Sequence, residues 1–572
     1  MPVAAPKLTA SLLLAVLLPT ESHADSWVRF NQAGYSPESG KELVVMANSD
    51  LAGTPWTLRR VSDGTTEAQG AMPPSVTGVG PHTSQAFNFR VSLPETLQPG
   101  TYQFEAGSAA LQATIHVKDC PYSDLLFAPL AHLRMLRSGS DSVPHRRLSH
   151  PGDAAALVKI PRGPIENGAW QNDPNARRVD ALGGWYDAGD QIKFTLNHAY
   201  VVYHLAKVDA MLVGSGRGST QGRTLLREEL LHGVRYLLKV YPAPDLFVIQ
   251  VGDALDHNQP PRLPEDDPLD GRRPALCALS RVHMGSVSAA LAKAARSLAP
   301  DDPELAQKCT EMAERIFQRA QASDTVSTAF ERDEVNDFYR DETDRDQLCL
   351  AAIELYRLTG KADYLARARA FRPGPAREVS WAEWNWLANS ELAADDPQAS
   401  ADFQAEVNAY REHSGSRGQP WGIPGRYVWA SLHRWIGAAN ASAIEARSRR
   451  VPQDTLHQNV LAYVLGRNNW GVSFLMSETV PNSVRNLYSP MYGLLGVFPE
   501  GALSEGPGDR QTHASLERYF GTDPGAWTHA FNTSAAVFFD SSRDFMCQEA
   551  TMGGQADALL LLALADRGDK AP

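Results

Sequence analysis

Between Ser26 and Lys118, apolar and β-branched residues come in short runs separated by Gly, Pro, Asn and Asp. Trp27-Val28-Arg29-Phe30, Leu43-Val44-Val45-Met46, Phe87-Asn88-Phe89-Arg90-Val91 and Thr101-Tyr102-Gln103-Phe104 have strand composition. Leu111 to Val117 alternates as a half-buried strand does. Turn signals recur through the segment, which predicts a small all-β sandwich of immunoglobulin type. Beyond Cys120 the period changes. Leu225, Leu226, Leu230, Leu231, Val234, Leu237 and Leu238 fall at helical spacing, and similar stretches lie at 201–213, 286–298, 304–320, 347–358, 384–394, 428–438 and 556–566. Loops rich in Gly, Pro and Asp separate them, and no strand–helix alternation is evident. The pattern predicts an all-α second domain whose loops carry function.

The first residues have a different character. Lys7, the apolar run Leu8 to Leu18 and Ser22-His23-Ala24 before Asp25 form the three parts of a secretory signal. The chain therefore divides into a signal peptide (1–24), an immunoglobulin-like domain (25–118) and a helical domain (119–572), and is expected to be secreted or periplasmic. After signal removal no stretch is apolar enough to span a membrane.

Of the 572 residues, 43% are hydrophobic and 21% charged, ordinary values for a chain with a large core. The formal net charge of -12 argues against nucleic acid or an anionic membrane as partner and favours an uncharged ligand. The five cysteines lack metal-knuckle spacing. They read mostly as core residues, with one disulfide conceivable, and no metal site is expected.

Three segments carry candidate chemistry. Gly183-Gly184-Trp185-Tyr186-Asp187-Ala188-Gly189-Asp190 places two carboxylates three residues apart in a Gly-rich turn, where close like charges raise one pKa. Val251 to His257, followed by Arg262 to Asp266, reads as an acidic, solvated loop. Near the C-terminus, Glu549 follows Phe545, Met546 and Cys547, whose apolar company favours a protonated acid. Trp170, Trp185, Trp421 and Trp470 lie in or beside loops as candidate stacking rings, whereas Trp381, Trp384 and Trp386 read as core.

In order along the chain these segments resemble glycoside hydrolase family 9. Asn31-Gln32-Ala33-Gly34-Tyr35 is similar to the opening of that family's N-terminal domain, and Gly183 to Asp190 with Lys193-Phe194 to its catalytic-base motif. Leu237-Leu238-Lys239, Val251 to His257, Pro264-Glu265, Glu354 to Gly360, Leu465-Gly466-Arg467-Asn468 and Glu549 follow in the family's order. The resemblance implies an (α/α)6 barrel and an inverting hydrolase of cellulose-like β-glucan. Asp190 would be the general base, Asp187 its water-orienting partner and Glu549 the general acid. It further implies sugar contacts from Trp185, Tyr186, His257, Trp421, Arg485 and Tyr488. No cofactor is required; a structural calcium is conceivable without support from the residues. Two departures bear on substrate. Asn482-Ser483-Val484-Arg485 lacks the family's histidine pair before the arginine, and Gln548 stands where Asn is usual. They keep open an exo-acting hydrolase of chitosan or chito-oligosaccharides, and, in another class, a glycan-binding relative without turnover.

Overall fold

The computed structural model describes residues 26–107, 111–140, 142–162, 170–216, 218–325, 339, 341, 343–376, 378–415, 419–451, 454–520 and 530–565. The signal segment, 1–24, lies outside them.

Seven antiparallel strands form the first domain: β1 (Ser26–Arg29), β2 (Lys41–Ala47), β3 (Pro55–Arg60), β4 (Thr66–Ala71), β5 (Phe87–Leu93), β6 (Gly100–Ala106) and β7 (Leu111–Val117). They make one sheet in the order β1-β2-β5 and another in the order β4-β3-β6-β7. Period-two alternation fixes the core: Leu43, Val45, Phe89 and Val91 from one sheet meet Leu58, Tyr102, Phe104 and Ile115 from the other. β2 is buried on both faces. Its Val44 and Met46 join the core of the helical domain instead.

Among the described residues twelve helices build the two layers of the helical domain, and a further one, Arg510–Phe520, stands outside that scheme. In chain order these are α1 (Ala128–Met135), α2 (Thr195–Ser215), α3 (Thr220–Leu237), α4 (Arg281–Leu298), α5 (Pro303–Gln321) and α6 (Arg345–Thr359). There follow α7 (Ala362–Phe371), α8 (Asn385–Leu392), α9 (Pro397–Ser414), α10 (Ser431–Ser448), α11 (Thr455–Val464) and α12 (Met552–Ala565). Six of them close a ring, α2 packing on α4, α4 on α6, α6 on α8, α8 on α10, α10 on α12 and α12 on α2. The others lie outside it: α3 on α2, α5 on α4, α7 on α6, α9 on α8, α11 on α10 and α1 on α12. This is the (α/α)6 arrangement.

Sequence explains the layering. Inner helix α12 is buried on every side, as its Ala-Leu run requires, while outer α5 buries only Ala306, Cys309, Ala313, Ile316, Phe317 and Ala320. Asp302 and Asp396 cap α5 and α9 ahead of Pro303 and Pro397, and Gly360, left-handed at φ 71°, ends α6.

The helical domain also contains a sheet that the apolar pattern does not announce. β8 (Ala156–Pro161), β9 (Trp170–Asn172), β10 (Arg178–Val179), β11 (Lys193–Phe194), β12 (Val248–Val251) and β13 (Pro274–Cys277) pair in the order β10-β8-β13-β12-β11, with β9 on β8. These strands are two to six residues long and not alternating, so periodicity misses them. Among the described residues no helix is long and apolar enough to cross a membrane. Cys277, Cys309, Cys349 and Cys547 are free and buried, which leaves no pair among the five cysteines for the conceivable disulfide.

The domains are joined by polar contacts with specific geometry. Gln32 Nε2 donates to the Gly471 carbonyl at 2.8 Å, and its Oε1 accepts from the Asn482 amide at 3.0 Å. Arg467 pairs with Glu42 and donates to Asn459 Oδ1 at 2.6 Å. The Asn31–Tyr35 and Leu465–Asn468 motifs thus meet at the junction, far from the carboxylates in sequence and in role.

Candidate active site

The loops that enter inner helices α2, α6, α8 and α12 carry Asp187 and Asp190, Tyr339, Trp381 and Glu549 respectively. Inner helices of such a ring run in one direction, so these loops collect at one end.

Gly183 and Gly184 turn the first loop, with φ of 103° and 73°. A side chain at Gly184 would strike His198, whose Nε2 accepts the Trp185 amide at 2.8 Å. The Asp187 amide then donates to the Ile192 carbonyl at 2.9 Å, and the Ile192 amide donates back to Asp190 Oδ1 at 3.1 Å. That closed turn brings both carboxyls to the same place. Asp187 is buried and accepts from Asn197 Nδ2 at 2.7 Å and from the Tyr339 hydroxyl. Burial pushes its pKa up to about 7 against those two donors, and the charge of Asp190 adds to the rise. Asp190 keeps some exposure and accepts from His257 Nδ1 at 2.7 Å. The pairing raises the pKa of His257, with burial opposing.

Glu549 reaches the same turn from the other side. Asp544 caps the helical turn Phe545–Gln548 by accepting from the Cys547 amide at 3.1 Å, and the chain then extends through Glu549. The Glu505 amide holds the Glu549 carbonyl at 3.1 Å, and Tyr488 bridges to Glu549. Glu549 Oε1 accepts from the Gly189 amide at 2.9 Å, next in sequence to Asp190. Burial first, then the charge of Asp190, pushes Glu549 up to about 8, Gly189 opposing. The Met552 amide donates to the Asp187 carbonyl at 2.8 Å, so backbone bonds lock the two loops together.

Three of the residues assigned to sugar contact are elsewhere. Trp185, Tyr186 and Trp421 are fully buried, as is Trp470, and Trp170 nearly so. Trp185 Nε1 donates to Glu229 at 3.3 Å, Tyr186 hydroxyl to Ser149 at 2.9 Å, and Trp421 Nε1 to the His82 carbonyl across the domain junction at 2.6 Å. Their indole and phenol tips are satisfied inside the protein, so their rings are unavailable to a sugar. His257 and Tyr488 are at the site. The pKa of Tyr488 is raised to about 12 by burial and by Glu549 and Asp190. Arg485 is exposed, its amide bonded to Asp540 and its guanidinium 5.6 Å from the Phe498 ring centroid. Trp384 and Trp386 are core, but Trp381 is only partly buried. Its ring stacks on His433 at 4.6 Å and meets Tyr339 edge-on at 5.7 Å, making it the aromatic wall beside Asp187.

The acidic stretch is not a solvated loop. Asp256 is buried between Arg262 and Arg273, Asp253 pairs with Lys159 at 2.8 Å and Glu265 with buried Arg146 at 3.1 Å. Of the acidic residues of this stretch, only Asp266, paired with Arg147, is exposed. Asp253 also caps the turn Ala254–His257, so this ion-pair network aims His257 at Asp190. Asn197, Tyr339 and Glu505 were not legible, because nothing local marks residues whose partners are 10 or 152 positions away. Among the described residues, His513, Asp544 and Cys547 could hold a metal, with ligand-type atoms within 4.8 Å of one another. Asp544 there already accepts from His513 at 2.9 Å while capping the turn before Glu549.

Known proteins agree with this architecture. The sequence pattern of the cellulase N-terminal ig-like domain matches residues 23–110, and that of glycosyl hydrolase family 9 matches residues 122–562. Endoglucanase C of Cellulomonas fimi is 26% identical over 501 residues, covering 78% of this chain and 44% of that protein. Endoglucanase 22 of Oryza sativa subsp. japonica is 30% identical over 281 residues, 46% of this chain and 47% of that one. The chain thus spans less than half of these relatives. A single-mutant thermostable endoglucanase from Alicyclobacillus acidocaldarius superposes with a TM-score of 0.76 at 21% identity, over 95% of this chain and all of that one (100%). The structure of AaCel9A in complex with cellobiose-like isofagomine gives 0.74 at 21% identity, over 94% and 99%. With the family pattern spanning the whole ring of helices and both carboxylate loops, the chain belongs to glycosyl hydrolase family 9.

Proposed function

We propose that the protein is an inverting endoglucanase-type hydrolase of β-1,4-glucosidic bonds in cellulose or related β-glucans, working outside the cytoplasm as its N-terminal segment suggests. One observation carries this reading. Two carboxyls meet at one turn: Asp190, within it, has a cationic partner in His257, while Glu549, which reaches it through the Gly189 amide, has a pKa raised to about 8 in a poorly solvated position. That split assigns base and acid. Asp190 takes a proton from water as the water oxygen bonds to the anomeric carbon. The glycosidic C–O bond breaks, and the Glu549 proton passes to the departing oxygen. Asp187, held by Asn197 and Tyr339, orients the water. Water and these carboxyls balance the step, so it calls for no cofactor. The endoglucanase relatives support β-glucan as substrate, and the intact trio weighs against a binding-only role.

Reducing-end release from a panel of soluble β-glucans tests the proposal. The wild-type chain should release sugar and Asp190→Asn should not; release by neither would remove it.

A further inference from the structure

Arg273 has no place in the hydrolytic step, yet both oxygens of the base lead back to it. It directly precedes β13, and its side chain is fully buried. Its three nitrogens go to three different segments. Nε donates to Asp256 Oδ2 at 2.6 Å, Nη1 to Asp153 Oδ2 at 2.8 Å, and Nη2 to the Gln191 carbonyl. The Gln191 carbonyl and the Ile192 amide are two ends of one planar peptide group, so holding the first aims the second. That amide donates to Asp190 Oδ1 at 3.1 Å. Asp256, held by Nε, adjoins His257 in the turn Ala254–His257, and His257 Nδ1 donates to Asp190 Oδ2 at 2.7 Å. One guanidinium therefore anchors both donors of the base, although Asp190 and His257 are 67 positions apart. Gly252 makes room for this clamp: at φ 88°, a Cβ there would lie 2.8 Å from Asp256 Oδ2 and 3.3 Å from Arg273 Nη2.

Resting on the hydrolase reading above, we propose that Arg273 is the positioning residue of the base, fixing the Asp190 carboxyl between His257 and the Ile192 amide. The planar fork supplies directed donors to three acceptors at once, which an ammonium on a flexible stem does not reproduce. A cation on the Gln191 carbonyl also polarises that peptide and strengthens its N–H as a donor.

The test is Arg273→Lys in the full chain, which keeps the buried charge and loses the fork. On a soluble β-glucan kcat should fall about 10–100-fold with KM within about twofold, because the base is misplaced while the sugar contacts are untouched. Arg146→Lys is the control: its fork, equally buried, goes to Glu265 and the Met135 carbonyl, and kcat should stay within about threefold of wild type. Proton NMR supplies a readout independent of turnover. The His257 Nδ1 proton on the carboxylate should give a downfield resonance, identified by its loss in His257→Asn, and Arg273→Lys should move it upfield. Should Arg273→Lys fail to fold, Gly252→Ala crowds the same clamp and should lower kcat with the same unchanged KM. An unchanged kcat, an equal loss in Arg146→Lys, or an unmoved resonance overturns the assignment. If the wild type cleaves no glucan, the hydrolase reading falls, while the resonance still decides this one.

Discussion

The two sides of the cleft use the same functional group and treat its proton in opposite ways. On the α2 side, the turn from Gly183 to Asp190 surrounds its carboxyls with donors: His257 on Asp190, Asn197 and Tyr339 on Asp187. On the α12 side, the Glu549 carboxyl accepts from the Gly189 amide and lies near Asp190 and Asp187. Donors and a cation favour the charged form, while burial and neighbouring anions favour the neutral one. The comparison teaches that role here follows surroundings. The contrast is between Asp190 and Glu549, since burial raises Asp187 to about 7 despite its donors.

Removing the base breaks the comparison most severely. Asp190→Ala should lower kcat by about 10³–10⁴ on every substrate, because among the described residues no other partly exposed carboxylate at the site accepts from His257. Steady-state kinetics on a soluble glucan and on an aryl glycoside would show equal losses. Glu549→Gln should cost about 10²–10⁴ on natural oligosaccharides and far less on aryl glycosides, whose leaving groups need little protonation. A uniform loss would mean that Glu549 does not donate the proton.

The pH profile sharpens the same contrast. Glu549 must hold its proton to act, and its pKa is about 8, so kcat should fall as pH rises through that value. Glu549→Gln should abolish that limb. His257→Asn removes the donor that holds the Asp190 carboxyl, so kcat should fall about tenfold at neutral pH on every substrate. An unchanged kcat would make His257 a bystander.

The smallest effect is on stability and has the opposite sign. The folded protein keeps Glu549 protonated above the ordinary glutamate value of 4.5, so the unfolded chain releases that proton first as pH rises. Stability is then lost progressively between about 4.5 and about 8, and the wild type pays at neutral pH for keeping its acid. Glu549→Gln should therefore unfold about 1–2 kcal/mol harder than wild type at pH 7 and no harder at pH 4. Thermal melts at the two pH values would show it.

Much of this architecture was legible from residue pattern. Alternation in β2, β5, β6 and β7 set the sandwich, and the apolar run of α12 belongs to a helix with no solvent face. The carboxyl trio stood out through its Gly-rich and apolar neighbours. Side-chain direction was the harder quantity. Trp185 and Tyr186 precede Asp187 by two residues and one, yet the turn at Gly183–Gly184 sends them into the core while Asp190 stays partly exposed. Composition marks an aromatic near a carboxylate without saying which way it points. The acidic stretch misled for a related reason: Arg146, Lys159 and Arg273, which neutralise much of it, arrive from other segments. Trp381 read as core because helical spacing is ambiguous at a helix entrance. Its exposed edge follows from Tyr339 and His433, which the chain brings from either side.

The central claim is that a base and an acid flank a single water-mediated displacement. It is tested most directly by NMR of the first-formed product from a β-linked oligosaccharide, recorded before mutarotation. Direct attack by water activated at Asp190 predicts the α-anomer first. A β-anomer appearing first would show a covalent, retaining route and contradict the roles given to Asp190 and Glu549.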